Sequence, residues 1–281
     1  MNSDRFQVRA MRPEEIALVA DWAAAEGWNP GLSDAACFAA VDPHGFFVGE
    51  LDGAAAATIS VVNYGDRFAF LGFYIVRPDL RGHGYGLRTW DVGIAHAGAR
   101  TIGLDGVIAQ QDNYRRSGFT LAYRNVRYGG TIAAGAPVPG VVDLAKVPLR
   151  DVFADDATVF PARRTGFLRA WTSAPGHVGR AVVRDGRLAA WGVIRSCRSG
   201  CKIGPLVADD EAAALAVFDA LVAAKGGGEI YLDIPEPNAA AAALARARWL
   251  EPVFETARMY TGPVRPLALP RLYGIATFEL G

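Results

Sequence analysis

The residues best equipped for chemistry are Arg81-Gly82-His83-Gly84-Tyr85-Gly86, which follow an apolar run over 70–76 and open a helical pattern. A strand that breaks into a glycine-rich turn and then a helix leaves unpaired backbone N–H groups aimed at one spot. The helix dipole adds partial positive charge there, so the spot suits a phosphate. Gly84 and Gly86 carry no Cβ, which lets a diphosphate approach the main chain closely. Arg77, Arg81 and Arg88 bring fixed charge and forked donors nearby. A glycine cluster alone reads equally as an ordinary turn; the order of strand, glycine loop and amphipathic helix favours the binding loop.

A second constellation, Tyr114-Arg115-Arg116-Ser117-Gly118-Phe119, lies downstream. Together the two resemble the GNAT superfamily of N-acetyltransferases. The acyl-CoA motif of that superfamily is Gln or Arg, two residues, Gly, one residue, then Gly or Ala. Arg81, Gly84 and Gly86 occupy those places. Tyr114, Gly118 and Phe119 match its Tyr-x-x-x-Gly-Phe ending of the next helix. The resemblance implies acetyl-CoA as co-substrate, no metal, and a cofactor site built from Tyr74, Val76, Arg81, Gly82, His83, Gly84, Tyr85 and Gly86. It also implies Tyr114 as general acid. In one respect the chain departs from the family: Asn113 is adjacent to the tyrosine instead of several residues before it, so the helix is short and no asparagine role is carried over.

Acetyl transfer from a thioester to an amine needs a neutral amine, a stabilised oxyanion and a proton for the departing thiolate. Alkyl amines have pKa values near 10, so a base or an already neutral amine is required. A backbone N–H near Val76 could serve the oxyanion. A phenol of pKa about 10 can protonate a thiolate of roughly 8–9 at small cost; the alternative is a Tyr114 packed at a helix end. For the base, Asp105 lies on a strand beside the cleft, with Glu50 and Asp233 behind it. Strand alternation lets Asp105 equally point away and anchor a turn, and deprotonation through water stands beside both. Trp28 and Asp233 are the expected acceptor-binding residues, with Trp22 and Tyr74 as further aromatic walls. His83 reads as a spacer in the loop, and His44, His96 and His177 have no partners at metal or triad spacing.

The elements that must position these groups can be read from periodicity. Residues 6–9 alternate as a strand. Pro13 with Glu14 and Glu15 starts a helix, which Gly27-Trp28-Asn29-Pro30-Gly31 breaks before a short helix over 33–40. A hairpin turns at Asp52-Gly53. A strand over 68–76, a helix with Leu87, Trp90 and Ile94 on one face, and a strand over 101–108 complete the set. Glycine and proline between 129 and 148 mark a crossing segment, in which Val141 and Val142 could still form a strand.

The second half repeats this order: helices near 151–156 and 166–173, a hairpin over 178–195, a strand over 203–207, a helix over 210–224 and a strand over 230–234. Ile102-Gly103-Leu104-Asp105 is echoed by Ile230-Tyr231-Leu232-Asp233. Where the first half has its glycine loop, the second has Val207-Ala208-Asp209-Asp210-Glu211-Ala212; three acids repel a diphosphate, and Asp209 or Asp210 reads as an N-cap. The layout resembles tandem GNAT proteins with a degenerate C-terminal domain. The expected fold class is α/β (α+β): two GNAT-like domains, each a mixed, mostly antiparallel twisted sheet flanked by helices. The expected boundaries are 1–130, a linker over 131–149, and 150–281, with one cofactor, in the first half.

The 281 residues exceed one domain of about 100–200. Hydrophobic residues make up 51% and charged residues 21%, which fits a globular chain with a sizeable core. With 29 basic and 29 acidic side chains there is no basic excess for nucleic acid. Interrupted apolar stretches argue against a membrane span. Residues 1–5 enter a strand without a signal-peptide core, and a cytoplasmic address is the default. Cys37, Cys197 and Cys201 are an odd set suited to a reducing compartment. The absence of nearby histidines argues against a disulfide or metal pair at Cys197 and Cys201. The expected reaction is acetyl transfer to a small-molecule amine, with a homodimer left open. The rivals are a non-catalytic acyl-CoA sensor and a protein N-acetyltransferase.

Overall fold

The computed structural model describes residues 6–281; the residues read as leading in without a signal-peptide core, 1–5, lie outside them. The first half runs β1 (Phe6–Ala10), α1 (Ala17–Ala25), α2 (Asp34–Ala39), β2 (Phe46–Leu51), β3 (Ala54–Tyr64), β4 (Phe68–Val76), α3 (Tyr85–Ala97), β5 (Thr101–Val107) and α4 (Gln111–Arg116). The predicted order holds throughout. After β6 (Thr120–Ile132) and β7 (Val141–Asp143), the second half repeats it. Its elements are α5 (Leu149–Val159), α6 (Thr165–Ser173), β8 (His177–Arg184), β9 (Arg187–Ser196), β10 (Cys201–Ala208), α7 (Glu211–Lys225), β11 (Gly228–Pro235), α8 (Ala239–Ala247), β12 (Glu251–Tyr260) and β13 (Leu272–Gly274).

Local chemistry accounts for the helix ends. Asp210 caps α7, its carboxylate accepting from Ala213 N at 2.8 Å, and Gly226 closes that helix in the left-handed region at φ 75°. Asn238 caps α8 in the same way, accepting from Ala241 N at 3.0 Å. In α3 the buried face is Tyr85, Thr89, Trp90, Gly93 and Ala97, whereas Leu87 is exposed. The apolar face expected there is corrected accordingly: small residues, not the leucine, bring α3 against β3, and a Cβ on Gly93 would press on Ile59 and Val61.

All strands join one sheet in the order β1-β2-β3-β4-β5-β12-β6-β11-β10-β9-β8-β7, with β13 on β10. Pairings are antiparallel except β4 with β5 and β10 with β11. The halves exchange their last strands. β6, from the first half, pairs with β11 and β12, and β12, from the second, lies between β5 and β6. The expected boundary near 130 divides the chain in sequence but not in the sheet, and Gly129 and Gly130 belong to β6 and not to a linker. On the helical side, α2 and α6 meet through Phe38, Phe167 and Trp171, whose ring centroids lie 4.9–6.4 Å apart. The three cysteines are free, and burial raises the Cys37 thiol to about 12.

In each half the two parallel strands pair only at their beginnings. Phe68–Leu71 of β4 pairs with Thr101–Leu104 of β5, and Cys201–Ile203 of β10 pairs with Ile230–Leu232 of β11. In the second half β13 pairs with β10 beyond that point, so the opening is filled by the chain itself. In the first half it stays open.

Candidate active site

Beyond Leu71 and Leu104, β4 and β5 line a cavity of about 360 Å³. Its β4 wall runs from Gly72 to Val76, where Phe73 holds φ 46°, a strained value for a side chain with a Cβ. Thr58 fixes that kink by donating from Oγ1 to Phe73 O at 2.9 Å, and the β3–β4 register shifts at the same place. A bulge of this kind turns backbone groups out of the ladder and toward a ligand.

The glycine loop stands at one end of the cavity. Gly82 and Gly84 sit at φ 83° and 82° with open space where a Cβ would be, and Gly84 caps α3. Gly86 is bare for another reason: a Cβ would meet Tyr74 Oη at 2.7 Å and Val76 Cγ2 at 2.8 Å. Arg81 lines the cavity, donates from Nε to Val76 O at 2.9 Å and pairs with Glu26. The other two arginines are occupied elsewhere, Arg77 by Asp79 and Arg88 by the carbonyl and ring of Phe6.

Tyr114 faces the same cavity from α4. Its ring stacks on Trp90 at 5.8 Å, stands edge-on to Phe119 at 6.4 Å and lies directly over Gly106 of β5. Among the described residues no hydrogen bond reaches its hydroxyl. Burial, with the neighbouring Tyr74 phenol, raises its pKa, so the proton is retained.

The second half roofs the cavity with Phe254, Thr256, Phe278 and Glu279. The Trp28 loop is pinned by β6 and by the second half. Arg127 donates to Trp28 O at 2.8 Å, Lys202 donates to Asn29 O at 3.1 Å, and Asn29 exchanges hydrogen bonds with the Ser199 backbone.

Two family models match in tandem: "Acetyltransferase (GNAT) family" over residues 13–119 and "Acetyltransferase (GNAT) domain" over 152–274. Holothin acyltransferase of Pseudoalteromonas sp. (strain SANK 73390) is 33% identical over 271 residues, covering 95% of this chain and 92% of the relative. The chain belongs to the GNAT acyltransferases. Solved structures agree in fold. A putative acetyltransferase from Pyrococcus horikoshii aligns with TM-score 0.84 at 23% identity, over 100% of this chain and 98% of that one. A tandem GNAT protein from the clavulanic acid biosynthesis pathway aligns with TM-score 0.64 at 15% identity, over 93% and 100%.

Of the site residues expected from the sequence of this GNAT chain, Trp28, Tyr74, Val76, Arg81, Asp105 and Tyr114 line one cavity. Others fall elsewhere. The Tyr85 ring stacks on Phe6 at 4.7 Å, so only its backbone belongs to the loop, and His83 Nδ1 donates to Arg81 O at 3.0 Å. Asp233 is fully buried behind the cavity, gripped by both Arg127 Nε (2.6 Å) and Nη2 (2.9 Å), and does not line it. Asp105 accepts from Arg258 Nε and Nη2 at 2.7 and 2.6 Å and from Asn125 Nδ2 at 2.7 Å. Burial raises this carboxyl against the pull of Arg258, but a proton arriving there has to displace one of these bonds. Its first task is to hold Arg258. Sequence reasoning missed Thr256 and Glu279. Both are 2% exposed, with side-chain oxygens that meet no hydrogen-bond partner among the described residues. The faint signal was Glu279 itself, the one charged residue in the mainly apolar run Ile275-Ala276-Thr277-Phe278-Glu279-Leu280.

Proposed function

We propose that the chain is an acetyl-CoA-dependent N-acetyltransferase that moves the acetyl group directly to the amine of a small molecule, with Tyr114 as general acid. The observation that carries this reading is the unpartnered Tyr114 hydroxyl, held by Trp90 and Phe119 over the cavity that begins at the glycine loop. Gly82 and Gly84, with no Cβ and open space above them, suit a diphosphate at the α3 N-terminus. The pantetheine arm then runs along Tyr74–Val76, and the thioester lies near Phe73, where the bulged backbone can donate to the developing oxyanion. The burial that raises the Tyr114 phenol would raise a thiolate beside it as well, which keeps proton transfer between them nearly balanced.

A small acceptor fits the size of the cavity and its lining: about 360 Å³, bordered by the Trp28 loop and by Phe254 and Phe278. The full-length likeness to a holothin acyltransferase supports acyl transfer, and dependence on acetyl-CoA fits a cytoplasmic protein. The test is calorimetric titration of acetyl-CoA together with release of CoA thiol in the presence of a panel of amines. Wild type should bind one acetyl-CoA per chain and Gly84→Glu none. Tyr114→Phe should bind normally but turn over about 100-fold or more slowly. Absence of binding to wild type, or unchanged turnover in Tyr114→Phe, refutes the reading.

A further inference from the structure

We propose that Glu279 receives the acceptor amine, binding it as the ammonium and taking its proton, and that the acceptor is a compact primary amine with an apolar body and no carboxylate. This rests on the transferase reading above and names the acceptor side of the same site.

Among the described residues, four charged ones line the cavity. Arg81 is paired with Glu26, and Asp105 with Arg258. Glu279 is left. It is 2% exposed, and no other described residue hydrogen-bonds either carboxylate oxygen. A buried carboxylate with no partner is costly, and such groups persist where a ligand or reaction uses them.

The main chain around Glu279 is rigidly set. Thr277 Oγ1 accepts from the Glu279 and Leu280 N–H groups at 3.0 and 2.9 Å, and Gly281 N donates to Thr277 O at 3.0 Å. Arg164 Nη1 donates to Gly281 O at 2.5 Å. The turn is pressed against β4 at Gly72, where any Cβ would strike the Glu279 carbonyl. Glu279 therefore stands one residue before the Phe73 bulge, beside the point where β4 and β5 part.

The charged groups that face it are Lys202 on β10, Arg127 on β6, Arg195 on β9 and Asp34 on α2. Arg127 is bound to Asp233, Arg195 Nε to Asp34 Oδ1 at 2.9 Å, and Lys202 to Asn29 O. They temper the charge without occupying its oxygens. Burial raises the Glu279 carboxyl, Lys202 and Arg127 pull it down, Asp34 pushes it up and its own N–H lowers it, with a net rise. A raised carboxyl is a better proton acceptor near neutrality than an ordinary one. Trp28, Phe254 and Phe278 offer apolar walls, Thr256 Oγ1 a second polar contact, and a carboxylate on the substrate would be repelled.

The step balances. An N–H bond of the ammonium breaks as an O–H bond forms on Glu279. The freed nitrogen pair attacks the thioester carbonyl carbon, forming C–N and moving the C=O pair onto oxygen. Re-formation of C=O breaks C–S; the thiolate takes the Tyr114 proton, and the phenolate recovers one from the nitrogen. Glu279 passes its proton to water. In sum, ammonium and thioester give amide, thiol and one proton.

The experiment is calorimetric titration of the full chain with phenethylamine and with phenylalanine, for wild type and Glu279→Gln, alongside acetyl-CoA titration and the pH profile of CoA release. Phenethylamine should bind wild type at least about tenfold more tightly than phenylalanine, and about tenfold or more weakly to Glu279→Gln. The variant should keep wild-type acetyl-CoA affinity and lose the acid limb of kcat/KM. If Glu279→Gln fails to fold, Glu279→Asp, which keeps the charge on a shorter arm, should retain phenethylamine binding but release CoA more slowly. Equal phenethylamine binding by wild type and Glu279→Gln, or none to wild type, overturns the assignment. Loss of acetyl-CoA binding by wild type refutes the transferase reading instead, and the amine titration still decides Glu279.

Discussion

Arg258 stands directly across from Asp105, on β12 and β5, joined by two hydrogen bonds of 2.6 and 2.7 Å although 153 residues separate them in sequence. The same arrangement recurs on the other exchanged strand, where Arg127 of β6 faces Asp233 of β11. At each seam of the strand exchange the resident strand supplies a carboxylate and the visiting strand a guanidinium. The echo of Asp105 in Asp233 is thus a pair of matching joints.

Both members of the Asp105–Arg258 pair are buried. Arg258→Met leaves the buried Asp105 without its counter-charge, with Asn125 Nδ2 as its remaining donor, and should cost about 3–5 kcal/mol of unfolding free energy. Adding Asp105→Leu should recover most of that loss. Urea unfolding of both singles and the double completes the cycle; losses that simply add would mean that the residues are not coupled.

Gly106 is the floor beneath the Tyr114 ring. Gly106→Ala should push the ring out of its place between Trp90 and Phe119, destabilising the protein by about 1–3 kcal/mol. Turnover should fall in wild type but hardly further in Tyr114→Phe, because the same hydroxyl has already been lost. Independent losses in the double variant would contradict this placement.

His177 carries a half-buried, neutral imidazole that donates from Nδ1 to Trp171 O at 2.8 Å. Burial, then Arg195, lowers its pKa from 6.5 to about 4. A lowered folded-state value means that its contribution is present above the unfolded pKa and is lost as pH falls from about 6.5 toward 4. The loss should reach roughly 3 kcal/mol at the lower end. Denaturant midpoints across that window should slope for wild type and be flatter for His177→Gln; identical slopes would remove His177 as the cause.

The exchange also predicts how the chain tolerates cutting. Severed in the exposed turn before Gly140, the fragments should each lack cooperative unfolding, since β5 loses β12, β11 loses β6, and β6 loses both of its neighbours. Co-expressed, they should reassemble and bind acetyl-CoA. A first fragment that unfolds cooperatively alone would show that β12 is dispensable to it.

The sequence disclosed the glycine loop, Tyr114 and the repeat because each leaves a local mark: a turn composition, a spacing, a periodicity. The exchange leaves none. Gly129 and Gly130 read as linker residues, yet they lie in β6 because the Tyr231 ring and the Trp249 carbonyl approach the strand too closely for a side chain. In β12, Glu251, Glu255 and Arg258 interrupt the alternation by which a strand is recognised, and Arg258 is buried only because Asp105 is waiting across the ladder. Lys202, Arg195 and Glu279 are likewise buried without a mark in the local sequence. Charged side chains read as surface until the fold reveals what surrounds them.

The interleaved strands bear on how the chain is made. While a ribosome is still short of residue 251, β5 has one bare edge and β6 lacks one of its two neighbours, and exposed edges are templates for aggregation. Packing of the first half must therefore wait until β12 has been made. A product released early is not a weakened catalyst but an unfinished sheet, open to chaperones and proteases. The strand that closes the seam beside Asp105 is also the last of the three, β5, β6 and β12, to be synthesised.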